Sequence, residues 1–360
     1  MIENAAGVAD QSISSASQYS PGGVRYFDGQ MNMTSTDLDT GGFGNTWSQT
    51  RSWSNGTPPS SNNGTGVIDT DRPYLLRPNG DNSQIVVVSS ATNARFYNLV
   101  GSNYVPQFFV QDQLTHNTST GEFILTDSNG DTLRFWDWTA SQANQWGQFK
   151  SATDAKGNQI SVTSYTGNGS VAQMQRSDGT TTQMYAYTYL ASPDLNAGMI
   201  SNITLEQKVG SGAWTIVRQV NYDYYDGTPN KPYGNVGDLR TATTLDANNN
   251  VIDISYHRYY TSSDAGSIGY VHGLKYLFSP SSYARMAADL SNPLTATDSQ
   301  VAPYADDYYQ YEPTSQKVTE VVIQGSGSSV TTGGQGTFTY RPLQHGPSHR
   351  QCLGWRRNRR

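Results

Sequence analysis

The sequence has 360 residues, enough for two or three ordinary domains or for one large repeat array. Its formal net charge is −6, and it has 35 glycines and 24 tyrosines but one cysteine, which excludes an intramolecular disulfide framework. No apolar run is long enough for a membrane-spanning helix, and the amino terminus lacks the basic and apolar regions of an export signal. Because β-branched, aromatic and turn-forming residues outnumber helix formers, we predict an all-β protein.

The first part of the chain is predicted to be a polar tail followed by strands. Residues 1–23 are small and polar and are predicted to be a disordered N-terminal segment, whereas residues 24–145 read as a β region. Residues 46–53 alternate strictly, which predicts that four side chains share one face of a strand: Trp47, Gln49, Arg51 and Trp53. Further strands are predicted at 84–89, 95–100, 107–110, 122–126 and 132–138.

Residues 146–340 contain a loose repeat that opens on glycine, closes on an Asp- and Gly/Asn-rich turn and alternates with tyrosine-rich strands. A single hairpin cannot bury an apolar face, so such units are predicted to stack edge to edge in one large curved sheet of antiparallel β-hairpins. Residues 283–290 form the one predicted helix. The residues that define the repeat are Gly147, Asp154, Gly157, Asn158, Gly169, Asp178, Gly179, Tyr222, Asp223, Gly237, Asp246 and Asn250.

The last twenty residues differ from everything before them. Residues 341–360 hold six arginines and no acidic residue, while the rest of the chain has a formal charge of −12. One interpretation is a basic arm that binds nucleic acid, and the other is a misread, out-of-frame or disordered end. The abrupt break in composition and the lack of a matching basic stretch favour the second, so we expect no nucleic-acid partner.

Catalytic motifs were sought and not found, which predicts a protein that is not an enzyme. Three histidines precede the tail, at positions 116, 257 and 272, and none has the spacing of a metal site. His257 is predicted to be a half-exposed strand residue. Two pairs of acids could suggest a glycosidase, Asp223 with Asp226 and Asp306 with Asp307, but the first belongs to the repeat and the second follows a proline loop.

Two binding sites remain as candidates. Asp127, Asn129 and Asp131 offer oxygen atoms at alternate positions, as a calcium loop does, and residues 246–250 repeat this spacing. Asx-rich turns arise equally because Asp and Asn cap turns, so a turn is favoured, calcium is a weak second, and no other cofactor is predicted. Four tryptophans could stack on sugar rings of a cell-surface glycan, although packing is favoured for them: Trp47, Trp53, Trp136 and Trp138.

The repeat resembles the RHS (YD-repeat) family. Residues 220–226, Val-Asn-Tyr-Asp-Tyr-Tyr-Asp, followed by Gly-Asp-Leu-Arg at 237–240, are the best match, and residues 35–53 resemble the segment that opens the repeat region in this family. The resemblance covers about residues 24–340, so it divides the chain into an RHS-opening β region (24–145) and a YD-repeat-like array (146–340).

The resemblance implies a non-enzymatic β-shell that encloses a C-terminal effector or displays the protein at a cell surface. This chain is short for the family, its units are irregularly spaced, and it lacks the signature that ends the shell. We therefore expect an N-terminal piece of a secreted or cell-surface protein, whose partner is its missing C-terminal part or an effector domain. A carbohydrate-binding or adhesive module is the alternative, and a polysaccharide-active enzyme is the weakest hypothesis.

Overall fold

The computed structural model describes residues 19–20, 22–26, 28–41, 46–56, 62–141, 143–323 and 336–339. In this part of the chain almost all regular structure is β, as predicted. The strands are β1 (Met33–Thr40), β2 (Trp47–Trp53), β3 (Val67–Asp69), β4 (Tyr74–Leu76), β5 (Gln84–Ser90), β6 (Asn93–Val100), β7 (Asn103–Pro106), β8 (Gln113–Asn117), β9 (Glu122–Thr126), β10 (Thr132–Trp136), β11 (Phe149–Thr153), β12 (Gln159–Tyr165), β13 (Val171–Ser177), β14 (Thr181–Tyr189), β15 (Ile200–Val209), β16 (Thr215–Tyr224), β17 (Leu239–Asp246), β18 (Val251–Tyr259), β19 (Leu274–Phe278), β20 (Asp307–Tyr311), β21 (Val318–Ile323) and β22 (Gly336–Thr339). The helices are α1 (Pro280–Asp289) and α2 (Asp298–Val301).

The strands form a small sheet and a large one. Strands β1, β2 and β3 make a three-stranded antiparallel sheet. From β4 onward each strand pairs with the next, which gives one large curved antiparallel meander that continues across residue 145 because β10 pairs with β11. No strand pair between β4 and β22 is found in the described residues, so this sheet is open.

Because the large sheet is a meander, its turns alternate between two rims. The short-turn rim carries the Asp-rich turns that follow odd-numbered strands: residues 127–131, 154–158, 178–180 and 246–250. The long-loop rim carries the longer connections that follow even-numbered strands: residues 190–199, 225–238 and 260–273. One longer connection departs from this pattern, because residues 279–306, which include α1 and α2, follow β19 and so lie on the short-turn rim.

The small sheet contacts two separate regions of the large sheet. On one side Ile68 of β3 packs with Val86 and Val88 of β5, so the apolar run of β5 is buried on both faces. On the other side β1 and β2 contact β14, β16 and β17. The face predicted for β2 is confirmed, since four side chains are at most 3% exposed: Trp47, Gln49, Arg51 and Trp53.

The large sheet curls strongly over its first strands. The backbone amide of Leu75 in β4 donates to the carbonyl of Gly147, just before β11, at 2.7 Å. Gly147 has φ +72°, and a Cβ there would lie 2.5 Å from the Leu75 carbonyl oxygen, so only glycine permits this close backbone approach. The repeat-opening glycine at 147 therefore marks where the sheet meets itself.

Several local predictions can be compared with the structure. The predicted helix is confirmed as α1, whereas α2 was not predicted. The prediction of a strand at 107–110 is wrong, because Gln107 is bonded to Phe96 but the following residues leave the sheet and Phe109 is 90% exposed. Gly22, which lies in the segment predicted to be disordered, contacts β20 and β21. No helix of the described chain is long and apolar enough to cross a membrane.

Candidate functional site

Three inward-facing positions recur along β14, β16 and β18 at a spacing of 35 residues. They are occupied by Tyr187, Tyr222 and His257. The hydroxyl of Tyr187 donates to Gln49 Oε1 at 2.9 Å, and that of Tyr222 donates to Asp37 Oδ2 at 2.7 Å. We call these three positions the tyrosine ladder. Because both acceptors belong to β1 and β2, the ladder ties the repeat region to the small sheet. We call the polar contacts between these two parts the inner polar layer.

A buried ion pair lies at the centre of the inner polar layer. Arg51 donates to both carboxylate oxygens of Asp37, at 2.6 and 2.8 Å, and these side chains are 2% and 5% exposed. Burial lowers the pKa of Arg51, but the charge of Asp37 outweighs it and the net shift is upward. Burial, and then the charge of Asp37, holds the pKa of Tyr222 well above its usual value, so its hydroxyl is neutral and donates.

A second group of charges lies at the end of β3. Asp69 is ion-paired with Arg72, whose guanidinium lies 4.5 Å from the ring centroid of Tyr187. Asp71 accepts hydrogen bonds from the Ser48 hydroxyl at 2.9 Å and from the Thr50 amide at 2.7 Å. Burial raises the pKa of Asp71 to about 6, because the hydrogen bonds offset only part of the cost of desolvation.

His257 occupies the third ladder position and is 1% exposed, so the prediction of a half-exposed residue is wrong. Burial, and then the positive charge of Arg51, lowers its pKa to about 3, which makes it a neutral imidazole. Its Nδ1 has no hydrogen-bond partner among the described residues. The pattern of its own strand does not show this burial, and Arg51, whose charge acts on it, lies far earlier in the chain, in β2.

Main-chain atoms also join the N-terminal residues to the repeat region. The Tyr185 hydroxyl donates to the Trp47 carbonyl at 3.1 Å, and the Ile200 amide donates to the Asn62 carbonyl at 2.6 Å. The Thr65 amide donates to the carbonyl of Gly237 at 2.8 Å. A Cβ on Gly237 would lie 2.8 Å from Thr65 Oγ1, so this repeat-opening glycine, like Gly147, lies at a close contact.

Tyrosine hydroxyls also tie neighbouring hairpins to one another. Each donates to a main-chain carbonyl on another strand, at 2.7 or 2.8 Å, and each oxygen is thereby satisfied away from water. The pairs are Tyr189 with Val171, Tyr224 with Ile200, Tyr225 with His257, Tyr260 with Tyr309, and Tyr311 with Leu274. The high tyrosine content of the repeat therefore serves to link its units.

The repeat residues on the short-turn rim adopt one recurring turn. Asp154 Oδ1 accepts the backbone amides of Lys156 and Asn158, at 2.9 and 2.8 Å, and Asp246 accepts the amides of Asn248 and Asn250, both at 2.8 Å. Asp178 binds two amides in the same way, from Thr180 and Thr181. Two repeat glycines of these turns, Gly157 and Gly179, have φ near +90°, which favours glycine, and so does Gly169 in the turn after β12 on the long-loop rim. On the other rim, Asp223 pairs with Lys231 and Arg240.

The candidate calcium residues form the same kind of turn. Asp127 Oδ1 accepts the amides of Asn129 at 2.8 Å and Asp131 at 2.9 Å, while Asp131 accepts the amide of Ala155 at 2.8 Å. These carboxylates are thus occupied by backbone donors, as the favoured turn interpretation requires. Among the described residues, no three His, Cys, Asp or Glu side chains cluster in a way that could hold a metal ion. Calcium binding stays a prediction.

The four candidate tryptophans fall into two classes. Trp47 and Trp53 are at most 3% exposed, and Trp47 packs edge-on against Tyr185 with ring centroids 4.4 Å apart. Trp136 and Trp138 are half-buried, with Lys150 Nζ 3.9 Å from one ring centroid and the Arg77 guanidinium 4.3 Å from the other. The first pair is thus inaccessible to a sugar in this conformation, and cations lie against the second.

A shallow cleft of about 150 Å³ lies at the short-turn rim. Its lining includes Leu133, Ile160 and Arg176, together with the turn residues Asp131 and Asp154. Both carboxylates accept backbone amides, and Arg176 donates to the carbonyls of residues 40 and 41. Because these three charged side chains are bound within the protein, they do not form an acid–base pair for catalysis.

Comparisons with known proteins give structural likeness only. No family model matches the chain, and no curated protein matches it. A mutant Tc holotoxin pore of Photorhabdus luminescens is 11% identical, with a TM-score of 0.47, over 67% of this chain and 16% of that one. The N-terminal domain of the effector protein SpvB from Salmonella typhimurium is 14% identical, with a TM-score of 0.41, over 59% of this chain and 98% of that one. Both TM-scores are below 0.5, so neither likeness decides a function.

Proposed function

We propose that this chain is a non-enzymatic structural segment of an RHS-type β-shell, which encloses or displays an effector polypeptide that the chain itself does not contain. The observation that carries the proposal is the concave face of the large sheet, which accommodates extended polypeptide. Tyr185 bonds the carbonyl of Trp47, Ile200 bonds that of Asn62, and Thr65 bonds that of Gly237. These are bonds to main-chain atoms, which any extended chain presents.

The same geometry favours a structural role over an enzymatic one. The buried charges are paired or hydrogen-bonded within the protein, as with Arg51 and Asp37, and His257 is neutral and covered. Catalysis needs a titratable group within reach of a substrate, and these groups lie beneath the small sheet. The partner that follows from the proposal is the missing C-terminal part of the same protein or an effector domain, and the location is outside the cell or at its surface.

The experiment is a protection assay on the full chain with an unstructured, protease-sensitive reporter fused after residue 360. We expect the reporter to be cleaved at least tenfold more slowly than the same reporter free in solution. A matched fusion with Tyr187→Phe and Tyr222→Phe, which weakens the inner polar layer, should lose part of this protection. Equal cleavage of fused and free reporter would contradict the proposal.

Two other results would favour the alternatives. Binding on a glycan array that is lost with Trp136→Ala, but kept with the buried-site control Trp47→Phe, would indicate a carbohydrate-binding module. Cleavage of a polysaccharide that is abolished by Asp223→Asn would indicate an enzyme.

A further inference from the structure

The described residues between Tyr19 and Met31 form a short hairpin, called here the N-terminal strap. Isolated bridges join Tyr19 to Arg25 and Val24 to Met31. Arg25 and Asp28 form a two-bonded ion pair within it, at 2.9 and 2.6 Å. Its apolar side chains are buried, with Val24 fully covered and Met31 1% exposed. The strap is therefore a defined structural unit, distinct from the small sheet that follows it.

The strap lies on β20 and β21. The Tyr309 hydroxyl donates to the Gly22 carbonyl at 3.1 Å, and the Val318 amide donates to the Gly29 carbonyl at 3.1 Å. A Cβ on Gly22 would lie 3.0 Å from Val321 Cγ2 and 3.4 Å from Asp307 Oδ1. Asp307 thus lies directly beneath the strap, and its carboxylate is partly covered by it.

The surroundings of Asp307 disfavour a negative charge. Its neighbour Asp306 accepts the Ser279 amide at 2.5 Å and the Ser282 hydroxyl at 2.6 Å. The arginine of the strap and the arginine of α1 are bound by other groups, since Arg25 pairs with Asp28 and Arg285 donates to Ser282. Among the described residues, no ion pair involves Asp307. Burial, and then the charge of Asp306, raises the pKa of Asp307 to about 7, although a hydrogen bond with Tyr309 opposes this.

We propose that Asp307 makes the docking of the N-terminal strap depend on pH: the strap lies tightly on β20 and β21 while this carboxyl is protonated, and it loosens when the carboxyl ionises. An ionised Asp307 beneath the strap must give up water beside a second carboxylate, and lifting the strap restores that water. The docked state therefore binds the proton more tightly than the undocked state. Docking is strongest below the undocked pKa, weakens as pH rises from there to the docked pKa, and is constant above it.

The experiment is hydrogen–deuterium exchange on the full chain between about pH 4 and pH 8, corrected for the intrinsic rate. The amide of Val318 reports docking directly because its acceptor is the Gly29 carbonyl of the strap, and amides of β14 and β15 serve as the internal reference. Between about pH 4, the ordinary pKa of a free aspartate, and about pH 7 we expect the docking equilibrium to weaken by up to about tenfold for each pH unit, and above that range we expect it to level off. Exchange at Val318 that does not depend on pH relative to the reference would overturn the proposal.

Three variants separate this effect from a general change in stability. Asp307→Asn should give strong docking that no longer varies between about pH 4 and pH 8, whereas the exposed-turn control Asp178→Asn should behave as the natural chain does. Asp306→Asn keeps Asp307 but removes the like charge, so the pH at which docking stops weakening should move below about 7. Should Asp307→Asn not fold, the natural profile and the Asp306→Asn profile still decide, and an Asp306→Asn profile identical to the natural one contradicts the proposal.

Discussion

The inner polar layer and the short-turn rim use the same residue type in opposite ways. In the layer Asp37 is 5% exposed and is satisfied by a cation on the neighbouring strand, 14 residues away, and by a tyrosine hydroxyl 185 residues away. On the rim Asp246 is half-exposed and satisfied by backbone amides two and four residues away. The difference teaches that aspartate at the rim shapes a local turn, whereas aspartate in the layer fixes how distant parts of the chain meet. The layer should therefore be far more sensitive to substitution than the rim.

The largest effect is expected from Arg51→Ala, which leaves Asp37 buried without a cation. Loss of one partner of a buried pair costs about 3–5 kcal/mol, so the free energy of unfolding should fall by that amount in urea denaturation. Arg218→Ala, at an exposed position of β16, is the control and should change stability by less than about 0.5 kcal/mol. Replacing both partners, with Asp37→Leu and Arg51→Met, should recover part of the loss. Equal effects at positions 51 and 218 would refute the comparison.

The next effect concerns two glycines with similar backbone angles. Gly147 and Gly157 have φ of +72° and +88°, but only Gly147 faces a close contact, with the Leu75 carbonyl. Gly157→Ala should cost about 1 kcal/mol through its positive φ alone. Gly147→Ala adds the clash and should cost about 3 kcal/mol. Thermal or urea unfolding of the two variants measures the difference, and similar losses would mean that the contact at 147 relaxes freely.

A smaller effect is expected inside the tyrosine ladder. Tyr222→Phe removes a hydrogen bond to a charged acceptor, Asp37, and should cost about 2 kcal/mol. Tyr187→Phe removes one to the neutral amide of Gln49 and should cost about 1 kcal/mol. Both changes preserve ring packing, so the urea midpoint compares the two hydroxyls directly. A smaller loss of stability for Tyr222→Phe than for Tyr187→Phe would show that Asp37 is satisfied mainly by Arg51.

The smallest effect is expected on the rim. Hydrogen bonds from the Asn250 side chain and amide, and then from the Asn248 amide, hold the pKa of Asp246 below its usual value. The stability that this turn contributes is present above the unfolded pKa and is lost as pH falls through the folded one. Asp246→Ala should therefore shift the urea midpoint less than Tyr187→Phe at pH 7, and the shift should vanish near pH 2. A shift larger than that of Tyr187→Phe would contradict the distinction between rim and layer.

Much of the rim could be predicted from sequence, because its determinants are local. The Asp–Gly turns, the strand alternation of β2 and the position of α1 each depend on residues within one element, and the structure has them where they were predicted. The shell hypothesis came from the family resemblance, and the prediction of a curved all-β sheet came from the repeated spacing of strands and turns.

The inner polar layer could not be predicted in the same way. Tyr222 meets Asp37 across 185 residues, and Tyr187 meets Gln49 across 138. His257 was misjudged because its strand alternates normally while its cover comes from elsewhere. One signal could have helped: the 35-residue spacing places His257 in register with two tyrosines, which indicates an inward-facing position. The spacing of glycines obscured this period because the loops differ in length.

The alternation of rims has a consequence for how such a sheet can change length. Adding one strand to a meander would send every later turn to the opposite rim, so that long loops would fall where short Asp turns belong. Adding two strands preserves both rims and the inward direction of each tyrosine. The period of 35 residues from Tyr187 to Tyr222 and on to His257 is one such pair of strands. Duplication or deletion of whole hairpins is therefore the smallest step by which this architecture can grow or shrink.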